Sequence, residues 1–520
     1  MKVNLKNNLL NPITVAGIIF FFFSCLMTIK EPFYLMLTAA QLVFVPIMLQ
    51  VFIDTKKKHV VGAWIAMFSI FLLHIVSNST LQLLFALIYL IYTLVVALYG
   101  TRRFFNRGFT NWAEFSIDAG MMYLFVGGLW FFVFTTEINT GFSPLITWLT
   151  AIHFHYSAFL LPVSLGLFGR LHQSKWYEIC VPIILAGPLL VAIGITFWPL
   201  LEVISVLLYI FAIYTLITLA FRTRFASRLQ GIFVRLSFSS LGITILFSLL
   251  YAANSAFGKW GVSIDFMLTF HGLVNSVLFG MIGVLGWILA LPETKQENWD
   301  FPISRIRGRL KETGELKPGL VNDLSDYLDI QKIPANIVHF YEHTEQYQLF
   351  ASVKWATWFK PFALCYKWVS NRMQQINLPL SSKTVEMTGS VRAVDPVLDG
   401  RDNPRVWNRY IGRNAVFKAI YSNYQTKDRT YMNIALPLPY STMIGILQLD
   451  EREGTLILSS KGEPNAGIYL AVGECLFRLP LSEYFVVKES KNNTLIATHK
   501  MKIAGAPFLT IHYTMTLKMK

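Results

Sequence analysis

Ten apolar runs, each close to the length of a bilayer-crossing helix, fill the first 291 residues and constrain this chain more than any other feature. A helix rises about 1.5 Å per residue, so roughly 20 apolar residues cross a hydrocarbon layer about 30 Å thick. The runs are 13–29, 33–53, 60–76, 80–100, 116–136, 145–169, 179–197, 200–220, 232–253 and 266–291. Only Trp198 and Pro199 separate 179–197 from 200–220, so a re-entrant hairpin is an alternative to two spans there. Composition agrees. The chain is 54% hydrophobic and 14% charged, with a mean hydropathy of +0.48, whereas a soluble domain carries about 25% charged residues. The first run follows Lys2 and Lys6 as a secretory signal would, but it ends MTIKEP without a small-residue cleavage site. It is expected to be retained.

The loops set an orientation. Alternate loops hold Lys2 and Lys6; Lys56, Lys57 and Lys58; Arg102, Arg103 and Arg107; Arg170 and Lys175; and Arg222, Arg224 and Arg228. The intervening loops hold only Lys30 and Lys259, which makes about thirteen basic residues against two. The positive-inside rule puts the basic side in the cytoplasm, and an even number of spans then puts both termini there. The net charge of +15 and the pI of about 9.5 are explained by these loops and do not call for nucleic acid as a partner. A lipid-headgroup site at TRRFFNR, residues 101–107, is the minority alternative to solvated loops. The four cysteines are far apart, with no CxxC and no zinc-finger spacing, and are expected to be free thiols.

Polar residues inside such spans are costly and are functional candidates by default. AIHFHYSAFLLP, residues 151–162, places His153 and His155 near mid-membrane. Two residues apart is about 200° on a helix, so they point to opposite sides and cannot share one centre while the helix is regular. His271 and Asn275 in the last run are four apart and share a face. Glu202 lies near the outer end of the eighth run and His74 near that of the third. His155 is the histidine expected to join His271 in one cavity. Three readings stay open: hydrogen bonds between helices, a substrate or proton-relay site, or a metal or haem site. No HExxH motif or dense carboxylate set supports the last, and no cofactor is expected. Glu114 and Asp118 are expected to pair with Arg102 or Arg235, the alternative being an intracellular proton or cation gate. The pair Gly127 and Gly128 and the series Gly280, Gly283 and Gly286 suit close helix packing, and Pro162 and Pro188 suit kinks.

HFHYSAF at 153–159 and HGLVNSVLFGMIGVLGW at 271–287 resemble signature segments of the YndJ-like family of bacterial membrane proteins. The resemblance covers the membrane half and carries over to His153, His155, Tyr156, His271, Gly272 and Asn275. Where the family pattern has Gly-Thr-Leu-Asn-Ala after the second histidine, this chain has Gly-Leu-Val-Asn-Ser, which removes a hydroxyl. The resemblance implies a polytopic protein of the bacterial plasma membrane, and a transporter.

The C-terminal part reads differently. Residues 292–333 are polar and are expected to form a linker with one short amphipathic helix. Residues 334–520 are expected to form a cytoplasmic α+β domain with an N-terminal helix, on which Ile337, Phe340 and Tyr341 share a face. In FLTIHYTMTLKMK, Leu509, Ile511, Tyr513, Met515, Leu517 and Met519 alternate with Thr510, His512, Thr514, Thr516 and Lys518, which is the period of a half-buried strand. Similar runs at 383–394, 415–424, 429–436, 441–449, 454–460, 466–472, 475–479 and 483–489 predict an antiparallel curved sheet or barrel able to hold an apolar ligand. His339 and His343 share a helix face but lack the zincin glutamate, and DGRDNP around Arg401, Asp402 and Arg405 reads as a turn before an anion site.

The expected fold is therefore a membrane all-α bundle of about ten helices followed by an antiparallel β-rich domain. Three functions fit. The first is a transporter using His153, His155, Tyr156, His271, Asn275 and Glu202 for substrate or protons. The second is a membrane-tethered binder of a lipid or other amphipathic molecule, and the third an enzyme acting on a lipid or envelope precursor. Membrane lipids are the expected surroundings, and the oligomeric state is left open.

Overall fold

The computed structural model describes residues 11–28, 32–53, 57–109, 111–259, 261–294, 299–310, 314–373, 375–462, 465–473, 475–490 and 493–518. Lys2, Lys6, Lys30, Lys56 and Met519, with parts of the expected linker and turns (295–298, 311–313, 463–464 and 491–492), lie outside them. The chain divides into two compact units, one of residues 1–104 and 111–296, the other of residues 105–110 and 297–520.

The first unit is all helix. Its elements are α1 (Pro12–Met27), α2 (Pro32–Leu49), α3 (Lys57–Leu73), α4 (Ser79–Phe105), α5 (Trp112–Thr135), α6 (Pro144–Leu171), α7 (Lys175–Phe197), α8 (Pro199–Arg222), α9 (Arg228–Phe257) and α10 (Ile264–Leu289). Eight of these are long and apolar enough to cross a membrane, while Pro12–Met27 and His59–Leu73 are apolar but shorter. The 179–197 and 200–220 runs fall on α7 and α8, each of spanning length. Short polar loops stop and restart the helices. Asn11, Asn111, Ser143, Ser174 and Ser227 each accept a hydrogen bond from a first-turn N–H, satisfying donors a helix leaves open. Gly258, at φ 65°, ends α9 in the left-handed conformation.

α6 is central, with 83% of its most apolar window buried, against 28% for α4. Glycines let neighbours approach it. A Cβ on Gly127 would lie 2.9 Å from His155 Nδ1, and one on Gly166 would lie 2.5 Å from the Ala113 carbonyl oxygen. Gly283 faces Ser237 with the same lack of room. Three helices contain π-helical turns: Ala40–Phe44 in α2, Tyr156–Leu160 in α6, and Met267–His271 with Asn275–Met281 in α10. Pro46 and Pro162 each come two residues after a π turn. A proline ring would clash with the carbonyl four residues back, and a widened turn moves that carbonyl aside.

The second unit is built on a closed barrel. α11 (Ala335–Glu342) leads into β1 (Tyr347–Trp355), and α12 (Lys360–Met373) follows it. Then come β2 (Val385–Ala393), β3 (Arg405–Ile411), β4 (Asn414–Gln425), β5 (Thr430–Leu438), β6 (Ser441–Arg452), β7 (Thr455–Ser459), β8 (Gly467–Val472), β9 (Cys475–Arg478), β10 (Leu481–Glu489), β11 (Leu495–Ile503) and β12 (Ala506–Leu517). The order β5-β4-β3-β2-β1-β12-β11-β10-β7-β6 closes through β5–β6 pairing, and β8–β9 extend from β6. All these pairings are antiparallel.

Alternation separates inside from outside. Leu509, Ile511, Tyr513 and Met515 are buried as their spacing predicts, while Leu517 at the strand end is exposed. β1, β3 and β11 were not among the predicted runs. The expected linker also differs. Leu320, Val321, Leu324 and Ile333 enter the barrel core, and Phe301 packs on an outer face with Tyr469. Among the described residues of 299–333 the helical turns are the 3-10 segments Leu324–Asp326 and Ile330–Lys332, in place of an amphipathic α-helix. Apolar side chains spaced through that polar segment bury more surface on the barrel than in a free helix.

Candidate functional site

The polar groups of the first unit gather where its helices are irregular. His155 is fully buried at the last α-helical residue before the π turn of α6. Its Nδ1 lies 2.8 Å from the Ala151 carbonyl, which can only accept, so Nδ1 donates. Nε2 then accepts from the Tyr89 hydroxyl on α4 at 2.8 Å, and the two rings lie nearly parallel. Gln41, on the π turn of α2, lies against the same hydroxyl. The next residue, Tyr156, donates to the Met36 carbonyl at 2.8 Å and accepts from Ser276 at 2.9 Å. Tyr156 thus ties α6 to α2 and α10.

His271 belongs to another set. Its Nδ1 donates to the Thr244 carbonyl at 3.2 Å, and its Nε2 accepts from Asn275 Nδ2 at 3.0 Å. Thr244 Oγ1 in turn donates to Asn275 Oδ1 at 2.9 Å, closing a three-residue network between α9 and α10. His153 is exposed and donates through Nδ1 to the Leu149 carbonyl. It is close enough to His271 for their charges to interact.

The two-residue spacing therefore acts as expected, with His155 inside and His153 outside. The partners, however, set His271 beside Thr244 and Asn275 and His155 beside Tyr89. Glu202 is also apart from the histidines, buried at the start of α8 where its backbone crosses Gly194 of α7. Gln41, Tyr89, Thr244 and Ser276 escaped the sequence reading. Gln41 alone left a plain signal, an amide within LTAAQLVFVPIML.

A charged network occupies the start of α5. Glu114 receives Arg170 at 2.7 Å and Arg103 at 3.0 Å, and Arg103 meets Asp118 at 3.2 Å. Both guanidinium groups also lie over the Phe52 ring. The expected partners Arg102 and Arg235 are replaced. Arg235 instead donates to the Ala220 and Thr223 carbonyls at the end of α8.

In the second unit the sequence candidates serve the fold. His339 bonds to Tyr347 and stacks on His343. Arg401 is buried on Asp399 and Asn433, and Arg405 holds Gly319 and Asn322. Among the described residues no three His, Cys, Asp or Glu side chains are grouped to hold a metal.

With this geometry in view, comparison with known proteins decides the family. The pattern of the YndJ-like protein family matches residues 35–279. A membrane protein of Bacillus subtilis (strain 168), named as the uncharacterized membrane protein YndJ, is 36% identical over 457 residues, 83% of each chain. The chain belongs to the YndJ-like family. The family match takes in the π turn of α2, His153, His155 and His271. No solved structure matches this YndJ-like chain.

Proposed function

We propose that this YndJ-like membrane protein is a transporter of a small polar or amphipathic solute, with its site at the π-helical turns of α2, α6 and α10. One observation carries this reading. All four π turns hold polar side chains, the buried Gln41, Tyr156 and Ser276 and the half-buried His271 and Asn275. π turns concentrate at functional sites because they free backbone groups and re-aim side chains. His153, His155, Tyr156, His271 and Asn275 are the proposed substrate or proton-relay residues, and Glu202 is a more distant candidate. The membrane is a bacterial plasma membrane, with both termini in the cytoplasm as the loop charges favour.

The test is reconstitution into proteoliposomes and solid-supported membrane electrophysiology with amino acids, organic cations and carboxylates. The expected result is a transient current for one class, reduced at least tenfold in Tyr156→Phe and Asn275→Ala when compared at equal amounts of folded, reconstituted protein. Currents absent for every class, or equal in the variants, would sink this reading.

A further inference from the structure

The barrel interior holds a group that its packing does not explain. Arg409 points inward from β3, nine-tenths buried. Its guanidinium carbon lies 4.4 Å from the Trp407 ring centre and 4.2 Å from that of Phe417. Its Nε has no hydrogen-bond partner among the described residues. Four titratable groups face it from other strands: Tyr421 on β4, Glu483 on β10, His499 on β11 and Tyr513 on β12.

Tyr513 lies close enough to Arg409 for the guanidinium to pull on its hydroxyl. Glu483 instead lies 3.7 Å from Nε2 of His499. The His499 ring stacks on Phe485, with centroids 3.7 Å apart. Burial pushes Glu483 up to about 7 and His499 down to about 3. Near neutrality the cluster is therefore a cation facing a carboxyl that is only partly ionised. A buried guanidinium without a full counter-charge is costly, and an incoming anion removes that cost.

The surroundings describe the rest of such an anion. Leu349, Met387, Leu447 and Ile511 belong to the same core. Eight strands enclose a space that side chains just fill, and ten make a wider ring. Ala351, Ala419 and Ala497 shorten the inward side chains on three strands. Arg409 and Glu483 lie near the barrel end formed by Trp355, Ile411 and Leu481, where Phe359, the residue before α12, stacks on Trp355 and lies against Phe508 of β12. There Trp358, Phe362, Leu364 and Trp368 are 49%, 61%, 62% and 71% exposed. Beside them Lys360 is exposed too.

We propose that the barrel binds the head of a single-chain amphipathic anion, a fatty-acyl carboxylate or the phosphate of a single-chain lipid, with Arg409 as its cationic anchor. The free Nε beside the planar guanidinium fork suits side-on binding of two oxyanion oxygens. The exposed Trp358, with Phe362, Leu364 and Trp368 on α12, marks the end by which a molecule leaving a bilayer reaches the interior. This proposal stands whether or not the helical unit transports anything.

The test uses the full-length protein in nanodiscs and a diazirine-bearing palmitate. After photolysis, labelled peptides are mapped by mass spectrometry. Label is expected on β3, β4 and β10–β12. Excess oleate should displace it and oleyl alcohol, which lacks the charge, should not. Displacement by monooleoyl phosphate at least tenfold better than by oleate would assign the phosphate head, and the reverse the carboxylate. Arg409→Gln should cut barrel labelling at least tenfold, and Arg409→Lys should restore part of it, which separates lost charge from lost folding. Labelling confined to the helical unit would overturn the proposal. So would oleyl alcohol competing as well as oleate, or Arg409→Gln labelling like the wild type.

Discussion

Arg170 and Arg103 show how much a single residue carries in this protein. Together they neutralise Glu114, which is 2% exposed, and Arg103 also meets Asp118, which is 1% exposed. Removing one partner of a buried pair leaves a charge without compensation, at a cost of about 3–5 kcal/mol. Arg170→Met should therefore lower the melting temperature of the purified protein sharply. The double variant Arg170→Met with Glu114→Gln should recover much of the loss. Equal destabilisation in both would show that the charges do not matter.

Glu483 gives a second prediction at the residue scale. Burial raises its pKa from 4.5 to about 7 against the opposing pull of Arg409. The folded protein thus keeps a proton that the unfolded chain releases. That contribution is complete below pH 4.5 and is lost as the pH rises to about 7. His499 works in the other direction. Burial, then Arg409, lowers it from 6.5 to about 3, so stability is lost as the pH falls through that interval. Glu483→Gln should abolish the loss on the rising side and leave the falling side unchanged. Thermal melts of the two proteins across pH 4 to 8 check this.

At the scale of the element, the π turn of α6 is the informative feature. Tyr156–Leu160 comes directly after His155 and just before Pro162. One residue fewer would let the segment return to α-helical bonding with its two flanks in nearly the same rotation, because a π turn absorbs one extra residue, and only the side chains within the turn would be re-aimed. Deleting Ala158 should therefore re-aim Tyr156 and break the Tyr156–Ser276 bond. The expected result is loss of any solute current together with faster limited proteolysis of the helical unit. Unaltered current and proteolysis would show that the π turn carries no positional information. The helices were legible because each is a long apolar run, several of them started by a capping Asn or Ser. The π turns were not, since a 3.6-residue pattern and a locally widened one leave nearly the same trace over five residues. β3 and β11 hid for a related reason. Arg405, Arg409 and His499 break the expected alternation, because they put polar residues at buried positions.

For the whole molecule, the proposed orientation has a direct check. Cys365 is exposed on α12. A version retaining it as sole cysteine should react with a membrane-impermeant maleimide in inverted vesicles and not in intact cells. Labelling of intact cells would reverse the orientation.

Sequence by itself determined that this is a two-part chain, helical in a membrane and then β-rich, because burial period and run length are local properties of adjacent residues. It also determined that His153 and His155 face apart, since helix geometry allows nothing else at that spacing. Tertiary structure alone decided the partners. Tyr89 meets His155, Ser276 meets Tyr156, and Arg409 meets Tyr513 across separations that no local pattern encodes. Closure of ten strands into a ring, and the isolation of a cation inside it, likewise depend on β5 finding β6 and β1 finding β12. Those pairings are fixed by the summed packing of the whole domain rather than by any strand's own residues.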